Sequence, residues 1–299
     1  MTAATEPEFN RLSLLSVLKE AASDWLRHRS ARLGAALAYY SVFSLGPLLL
    51  IVTAVAALIW GADAARGSIV TQFRGLLGES GSQAVEAMLQ GASSSVAGGW
   101  SAAMGVMLLV VAAVGVVVQL KDALNTIFEV SEPSNPGASW YVKVYGGAFA
   151  GILALGFLLA VSLVFSAGLA AFSGWLTNNP GEALLLSIAN FSLSLAFLTL
   201  LFAMLFKWLP DEDLEWRDVW FGGAVTALMF NLGKSAIAWY IGTQGLESTY
   251  GAASSVVVLL IWVYYSAQIL LFGAEITQSY ATQRRQVRVS ADAASRHAS

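Results

Sequence analysis

The chain has 299 residues, 57% of them apolar and only 12% charged, with a mean hydropathy of +0.66. That is about half the charge of an ordinary soluble protein, so the apolar excess must face something other than water. Lys and Arg number 16 against 19 Asp and Glu, a net charge of −3, which leaves no overall basic footprint for nucleic acid. The absence of cysteine removes disulfides, thiolate nucleophiles and Cys-ligated metals together.

The N-terminus, Met1 to Glu8, is acidic where a cleaved signal peptide is basic, so targeting is expected from an uncleaved apolar span. Next, Leu14, Leu15, Leu18, Ala21, Ala22, Trp25 and Leu26 recur at helical spacing, with Lys19, Glu20 and Asp24 off the stripe. This pattern predicts an amphipathic helix lying at the inner membrane interface.

Six long apolar runs follow: Leu33–Trp60, Trp100–Val118, Gly146–Ala171, Leu184–Phe206, Val219–Ile241 and Ala252–Phe272. Each is long enough to cross a hydrocarbon core of about 30 Å at about 1.5 Å per residue. Lys234 is the single formal charge in all six. Residues 61–99 form an outer loop, with Ile69, Val70, Phe73 and Leu77 at helical spacing and a second short helix over Ser82–Gln90, both able to lie on the outer leaflet. Glu132 to Ser139 is a turn-rich inner loop, and the polar, small residues at the C-terminus read as disordered.

Orientation follows from basic residues near the span ends, which stay on the cytoplasmic side. One side holds Lys19, Arg27, Arg29, Arg32, Lys121, Lys143, Lys207, Arg217, Arg284, Arg285 and Arg288; the other holds Arg66 and Arg74. Both termini are therefore expected in the cytoplasm, as an even number of spans requires. The expected fold is all-α: a cytoplasmic segment over 1–32 with its amphipathic helix, a six-helix transmembrane domain over 33–280 with short outer-loop helices, and a disordered tail over 281–299.

Several local patterns carry a resemblance. They are Arg32-Leu-Gly-Ala-Ala-Leu-Ala-Tyr39-Tyr40-Ser-Val-Phe-Ser44-Leu-Gly-Pro47, then Leu124-Asn125-Thr-Ile-Phe-Glu-Val130, then Lys207-Trp-Leu-Pro210 with Trp216-Arg217 and Gly222-Gly-Ala224. Tyr250-Gly251-Ala-Ala-Ser254, Trp262-Val-Tyr264 and Gly273-Ala-Glu275 complete the series. In this order they resemble the YihY/BrkB family of bacterial inner-membrane proteins, formerly labelled ribonuclease BN and linked by name to virulence. The resemblance implies six helices in the inner membrane and a role in lipid or envelope export, and it supplies no agreed catalytic residues.

Candidate polar sites inside the apolar runs are few. Lys234 is expected roughly 10 Å below the outer end of its helix, at a depth similar to Asn190. It either lines a polar cavity, as intramembrane charges commonly do, or snorkels to the interface. Glu275, past the inner end of the last span, is expected about 20 Å away from it and out of direct reach. Gly46-Pro47 interrupts the hydrogen bonding of the first span, with Tyr39, Tyr40, Ser41 and Ser44 just before it. A plain kink is the preferred reading there, a substrate site the alternative. Gln268 in the last span needs a partner for its amide. Gly147-xxx-Gly151 and Gly223-xxx-Ala227 favour close helix packing. Arg27, Arg29, Arg32, Arg284, Arg285 and Arg288 form a basic collar suited to lipid headgroups, although the orientation rule alone predicts the same residues.

An enzyme is not expected. His28 and His297 are in the terminal segments, and the acidic run Asp211-Glu212-Asp213 with Glu215 and Asp218 reads as a solvated turn. No phosphate loop, nucleophile elbow or metal-ligand spacing occurs, so neither metal nor cofactor is expected. The sequence fits a protein that transports or exports a lipid or other amphiphile whose apolar part stays in the bilayer. Its expected partners are membrane lipids and an amphiphilic substrate or envelope protein, with no nucleic acid. The alternative is a non-transporting structural or assembly factor of the envelope.

Overall fold

The computed structural model describes residues 14–95, 99–130, 180–243 and 254–297. These residues form seven helices and no strand: α1 (Leu14–Arg27), α2 (Ser30–Trp60), α3 (Ala62–Ser95), α4 (Gly99–Ile127), α5 (Pro180–Trp208), α6 (Trp216–Thr243) and α7 (Ser254–His297). Five of the six expected spans coincide with α2, α4, α5, α6 and the first half of α7. The span over Gly146–Ala171, with Gly147 and Gly151, lies outside the described residues.

Helix ends follow local chemistry. Pro180 opens α5, where a missing N–H costs nothing, and Pro210 follows shortly after its end. Gly61 alone separates α2 from α3. Its φ of 84° suits glycine, and its N–H caps the Ala57 carbonyl at 2.9 Å. The helix α2 continues through Pro47 without a break; the Pro47 side chain lies outside those described.

The long helix α7 is the organising element and contacts α1, α2, α3, α4 and α6. One core cluster gathers Ala123, Leu124, Ile127 and Phe128 at the end of α4, Phe202, Ala203 and Phe206 of α5, Val219 of α6, and Leu271 and Ala274 of α7. A second joins Leu49 of α2 and Ile69, Val85 and Leu89 of α3 to Val258 and Leu259 of α7. A third seats Val17 and Ala21 of α1 on Ile276 of α7.

Close approach of α6 and α7 rests on a reciprocal exchange of glycine and threonine. Thr277 sits over Gly222, and Thr226 sits over Gly273, each so near that a Cβ on the glycine would overlap it. Each hydroxyl bonds the carbonyl four residues back in its own helix, Thr226 to Gly222 at 2.6 Å and Thr277 to Gly273 at 2.7 Å, so no polar group is stranded. The adjacent Gly223 faces the other way, against the backbone of Thr199 and Ala203 in α5. The small-residue pattern at Gly223 and Ala227 thus packs helices within the chain.

Two expectations are corrected. Residues 62–95 are one helix, not a loop with two short helices, and its apolar side chains Ile69, Val85 and Leu89 are buried against α2 and α7 instead of lying free. The tail is also not disordered where it is described: α7 continues to His297. The reason is that Arg284, Arg285 and Arg288 project from that helix onto carboxylates of the α5–α6 loop.

Two segments, Phe191–Trp208 of α5 and Val256–Ser290 of α7, are long and apolar enough to cross a membrane by length and composition. Only 17% of the first and 33% of the second is buried, unlike the core helix of a soluble protein. Tyr39 and Phe43 of α2, Met107 of α4, Phe191 of α5, and Leu232 and Trp239 of α6 are all more than half exposed. Apolar surface this extensive marks a lipid or protein contact.

Candidate functional site

Polar side chains converge where α1, the end of α4, the α5–α6 loop and α7 meet. Glu275 of α7 is fully buried there. It lies against the corner between α1 and α2, where Arg29 takes the left-handed conformation (φ 55°, ψ 41°) and Ser30 begins α2. Ser30 Oγ donates to Glu275 Oε1 at 2.7 Å, and His28 Nδ1 lies 3.1 and 3.2 Å from the two carboxylate oxygens. A buried carboxylate without partners would cost several kcal/mol. Two polar partners and the positive end of the α2 macrodipole offset that cost.

The other face of His28 looks toward α4. Its Nε2 is 3.6 Å from Glu129 Oε1, and Arg27 Nη2 is 2.8 Å from the same oxygen and 3.1 Å from Asp24 Oδ1. Glu129 itself closes α4. Its φ is 55°, and the N–H groups of Val130 and Glu129 bond the carbonyls of Asn125 and Thr126 at 2.9 and 3.3 Å, a Schellman cap in which glycine is the usual residue. Because Ser30 donates to Glu275 and not to His28, the three do not form a nucleophile relay, in which the imidazole stands between hydroxyl and carboxylate.

Beside this centre the α5–α6 loop is an ion-paired clamp. Arg284 bonds Asp218 at 2.7 Å and Glu215 at 2.6 Å; Arg288 reaches Glu215 at 3.0 Å and Arg285 reaches Glu212 at 3.3 Å. Lys121 bonds Asp211 at 2.8 Å, and Asn125 exchanges two bonds with Asp211, at 3.0 Å to its carboxylate and 2.9 Å from its backbone N–H. Lys207 bonds Asp213 at 3.2 Å and the Leu214 carbonyl at 2.7 Å. For Asp211, partial burial alone would raise the pKa, but the Lys121 and Asn125 hydrogen bonds and the Lys121 charge outweigh it and hold it below its ordinary value. The Arg284 hydrogen bond and charge, with Arg288 adding to them, hold Glu215 low as well. The acidic run is therefore not a freely solvated turn: its carboxylates are distributed over five cations, with Arg284 shared by Glu215 and Asp218. An open groove of about 550 Å³ runs along it, lined by Lys207, Glu215, Trp216, Arg217, Arg284 and Arg288.

The remaining expected site residues are not gathered into one cavity. Tyr39 is exposed and packs on Phe43 at 4.9 Å, Tyr40 lies over Gly115 of α4, and Ser44 is buried with its hydroxyl on the Ser41 carbonyl. Gln268 donates to the Ala31 carbonyl at 3.3 Å and packs on Gly34, leaving its buried carbonyl oxygen unpaired. Lys234 is half-buried on α6 and makes no hydrogen bond or ion pair among the described residues. Asn190 lies on α5, with its side chain outside those described. Of the collar, Arg29 and Arg32 are exposed, Arg27 is paired with Asp24 and Glu129, and Arg284, Arg285 and Arg288 belong to the clamp. His28 was expected in a terminal segment away from any site and instead stands at the centre of this one. No local motif announces it, because its partners are 247 and about 100 residues away.

Apolar helices with outward-facing side chains, gathered round an ion-paired end, define a helical membrane protein. The chain belongs to the YihY/BrkB family: the family described as "Virulence factor BrkB" matches residues 21–298. It is 28% identical over 253 residues to a UPF0761 membrane protein of Pseudomonas aeruginosa, covering 84% of this chain and 59% of the relative. It is 36% identical over 187 residues to one from Klebsiella pneumoniae, covering 61% of each, and 32% identical over 174 residues to one from Methylibium petroleiphilum, covering 58% and 40%. The match thus spans only about two fifths to three fifths of these relatives. No solved structure matches the chain.

Proposed function

We propose that the chain is a six-span protein of the bacterial inner membrane, both termini cytoplasmic, that transports or exports a lipid or another amphiphilic envelope component without enzymatic chemistry. The observation that carries this reading is Lys234, a half-buried ammonium without an ion pair among the described residues, within a long and largely apolar helix. An unpaired charge at that depth is costly. An anionic headgroup would supply the missing partner while its acyl chains remain in lipid. Exposed Arg29 and Arg32 at the other end of the bundle suit the same headgroup chemistry.

Native mass spectrometry of the purified protein tests this. Wild type and Lys234→Arg should retain an anionic lipid adduct, and Lys234→Met should lose it while staying folded. Transfer of a fluorescent lipid in proteoliposomes should fall in parallel. Full lipid retention and transfer in Lys234→Met would leave a snorkelling lysine and sink the reading. A second reading, an assembly factor of the envelope, is favoured by the ion-paired clamp, a rigid surface outside the apolar helices. Lipid binding with no transfer in any variant would select it.

A further inference from the structure

We propose that the corner between α1 and α2 is a proton-operated clasp: a proton loaded on His28 Nε2 draws the end of α4 onto the corner through Glu129, while His28 Nδ1 stays tied to Glu275 of α7. An ionised carboxylate only accepts hydrogen bonds, and Ser30 already donates to Glu275. The contacts of 3.1 and 3.2 Å between Nδ1 and that carboxylate therefore require a proton between them, held by the pair as a unit. The second proton decides the other ring nitrogen. Without it, Nε2 and the Glu129 carboxylate are two acceptors facing each other at 3.6 Å. With it, the contact becomes a charge-assisted attraction. The sign of one contact between α4 and the corner thus changes with a single proton.

The backbone supports the same assignment. Arg29 and Glu129 are the two non-glycine residues with positive φ among the described residues, and they stand on opposite sides of this contact. Such conformations persist where the surroundings over-determine them, and they gather at switch regions. Glycine would relieve the cap of α4 at position 129 but brings no carboxylate to the corner.

The charged groups facing His28 are Asp24 and Arg27 from α1, Glu129 from the end of α4 and Glu275 from α7; Glu20 of α1 is engaged by Gln283. Arg27 keeps its charge throughout and holds Glu129 at 2.8 Å, so it sets a constant background on which the His28 contact varies. The His28 side chain is 10% exposed and that of Glu129 54%, while Glu275 is sealed. Protons therefore reach Nε2 from water on the Glu129 side. Histidine is the side chain whose charge ordinarily changes between about pH 5 and 8.

Spin labels test the clasp, since the chain has no cysteine. One pair, at Ser23→Cys and Thr126→Cys, spans α1 and α4; a reference pair, at Ser23→Cys and Gln286→Cys, spans α1 and α7. All three sites are exposed. Electron–electron distance measurements on full-length protein in nanodiscs at about pH 8 and about pH 5.5 should show the α1–α4 distribution shortening and narrowing on acidification, with the α1–α7 pair unchanged. His28→Gln, whose amide still reaches Glu275, should abolish the response. Glu129→Gln, an exposed change that leaves the buried contacts intact, should abolish it too, and Arg27→Gln should enlarge it by removing the competing cation. The proposal is overturned by no response in wild type, by a response that survives in His28→Gln or vanishes in Arg27→Gln, or by equal movement of the reference pair.

Discussion

Asp211 and Glu215 show how single residues hold the α5–α6 loop. Both carboxylates sit below their ordinary pKa in the folded protein. A group whose folded pKa is depressed stabilises fully above its unfolded value and loses that contribution as pH falls through the folded one. The clamp should therefore be intact at neutral pH and loosen below about pH 4. Both groups are about half exposed, so solvent screening keeps the effect modest. The thermal midpoint in detergent should fall by a few degrees between about pH 5 and about pH 3, and the fall should be smaller in Asp211→Asn, which lacks one of the titrating groups. An equal fall in that variant would place the acid sensitivity elsewhere. Composition flagged these carboxylates as a cluster, but their pairing depends on Lys121, 90 residues from Asp211, and on Arg284, 69 residues from Glu215, distances in sequence that no local pattern bridges.

At the scale of helices, apolar runs located five of the long helices, because a long uncharged segment has few alternatives to a helix. The amphipathic stripe of α1 was equally legible. Its division was not: Val17, outside the stripe, and Ala21 are buried on α7, while Leu14, Leu15, Leu18 and Leu26 remain exposed, and only the packed neighbour separates those two faces. The same limit hid the exchange between α6 and α7. Gly222, Thr226, Gly273 and Thr277 are unremarkable singly, and their meaning lies in facing one another. Gly222→Ala should place a methyl into Thr277 and destabilise by about 1–3 kcal/mol, the usual range for overpacking. Pairing it with Thr277→Ala, which removes the nearest atom but keeps the Cβ, should recover part of that loss in a thermal melt. Recovery by a distant stabilising change, and none by Thr277→Ala, would show that the threonine is not the obstruction.

For the whole molecule, the proposed topology puts the ion-paired end in the cytoplasm. Lys121, Lys207, Arg284, Arg285 and Arg288 stand at the same end and are all paired with carboxylates. Pairing does not cancel their topological weight, since retention follows Lys and Arg and not net charge. Exposed Trp208, Trp216 and Trp220 ring that end, the first two in edge contact at 6.3 Å, as aromatic side chains do at a membrane interface. The level of α1 agrees. It packs on Ile276 and bonds Gln283, while Phe221 of α6 stacks on Tyr280 at 4.2 Å, so the free leucine face of α1 and the tryptophans flank the same two turns of α7. On the proposed topology, the clamp and the His28 corner lie at the cytoplasmic surface. A cysteine at exposed Ser68 should then react with an impermeant maleimide in intact spheroplasts, and one at exposed Ser290 should react only after lysis. Labelling of Ser290 but not Ser68 in intact cells would invert the molecule, turning the His28 clasp toward the periplasm, where the proton it reads would be the external one.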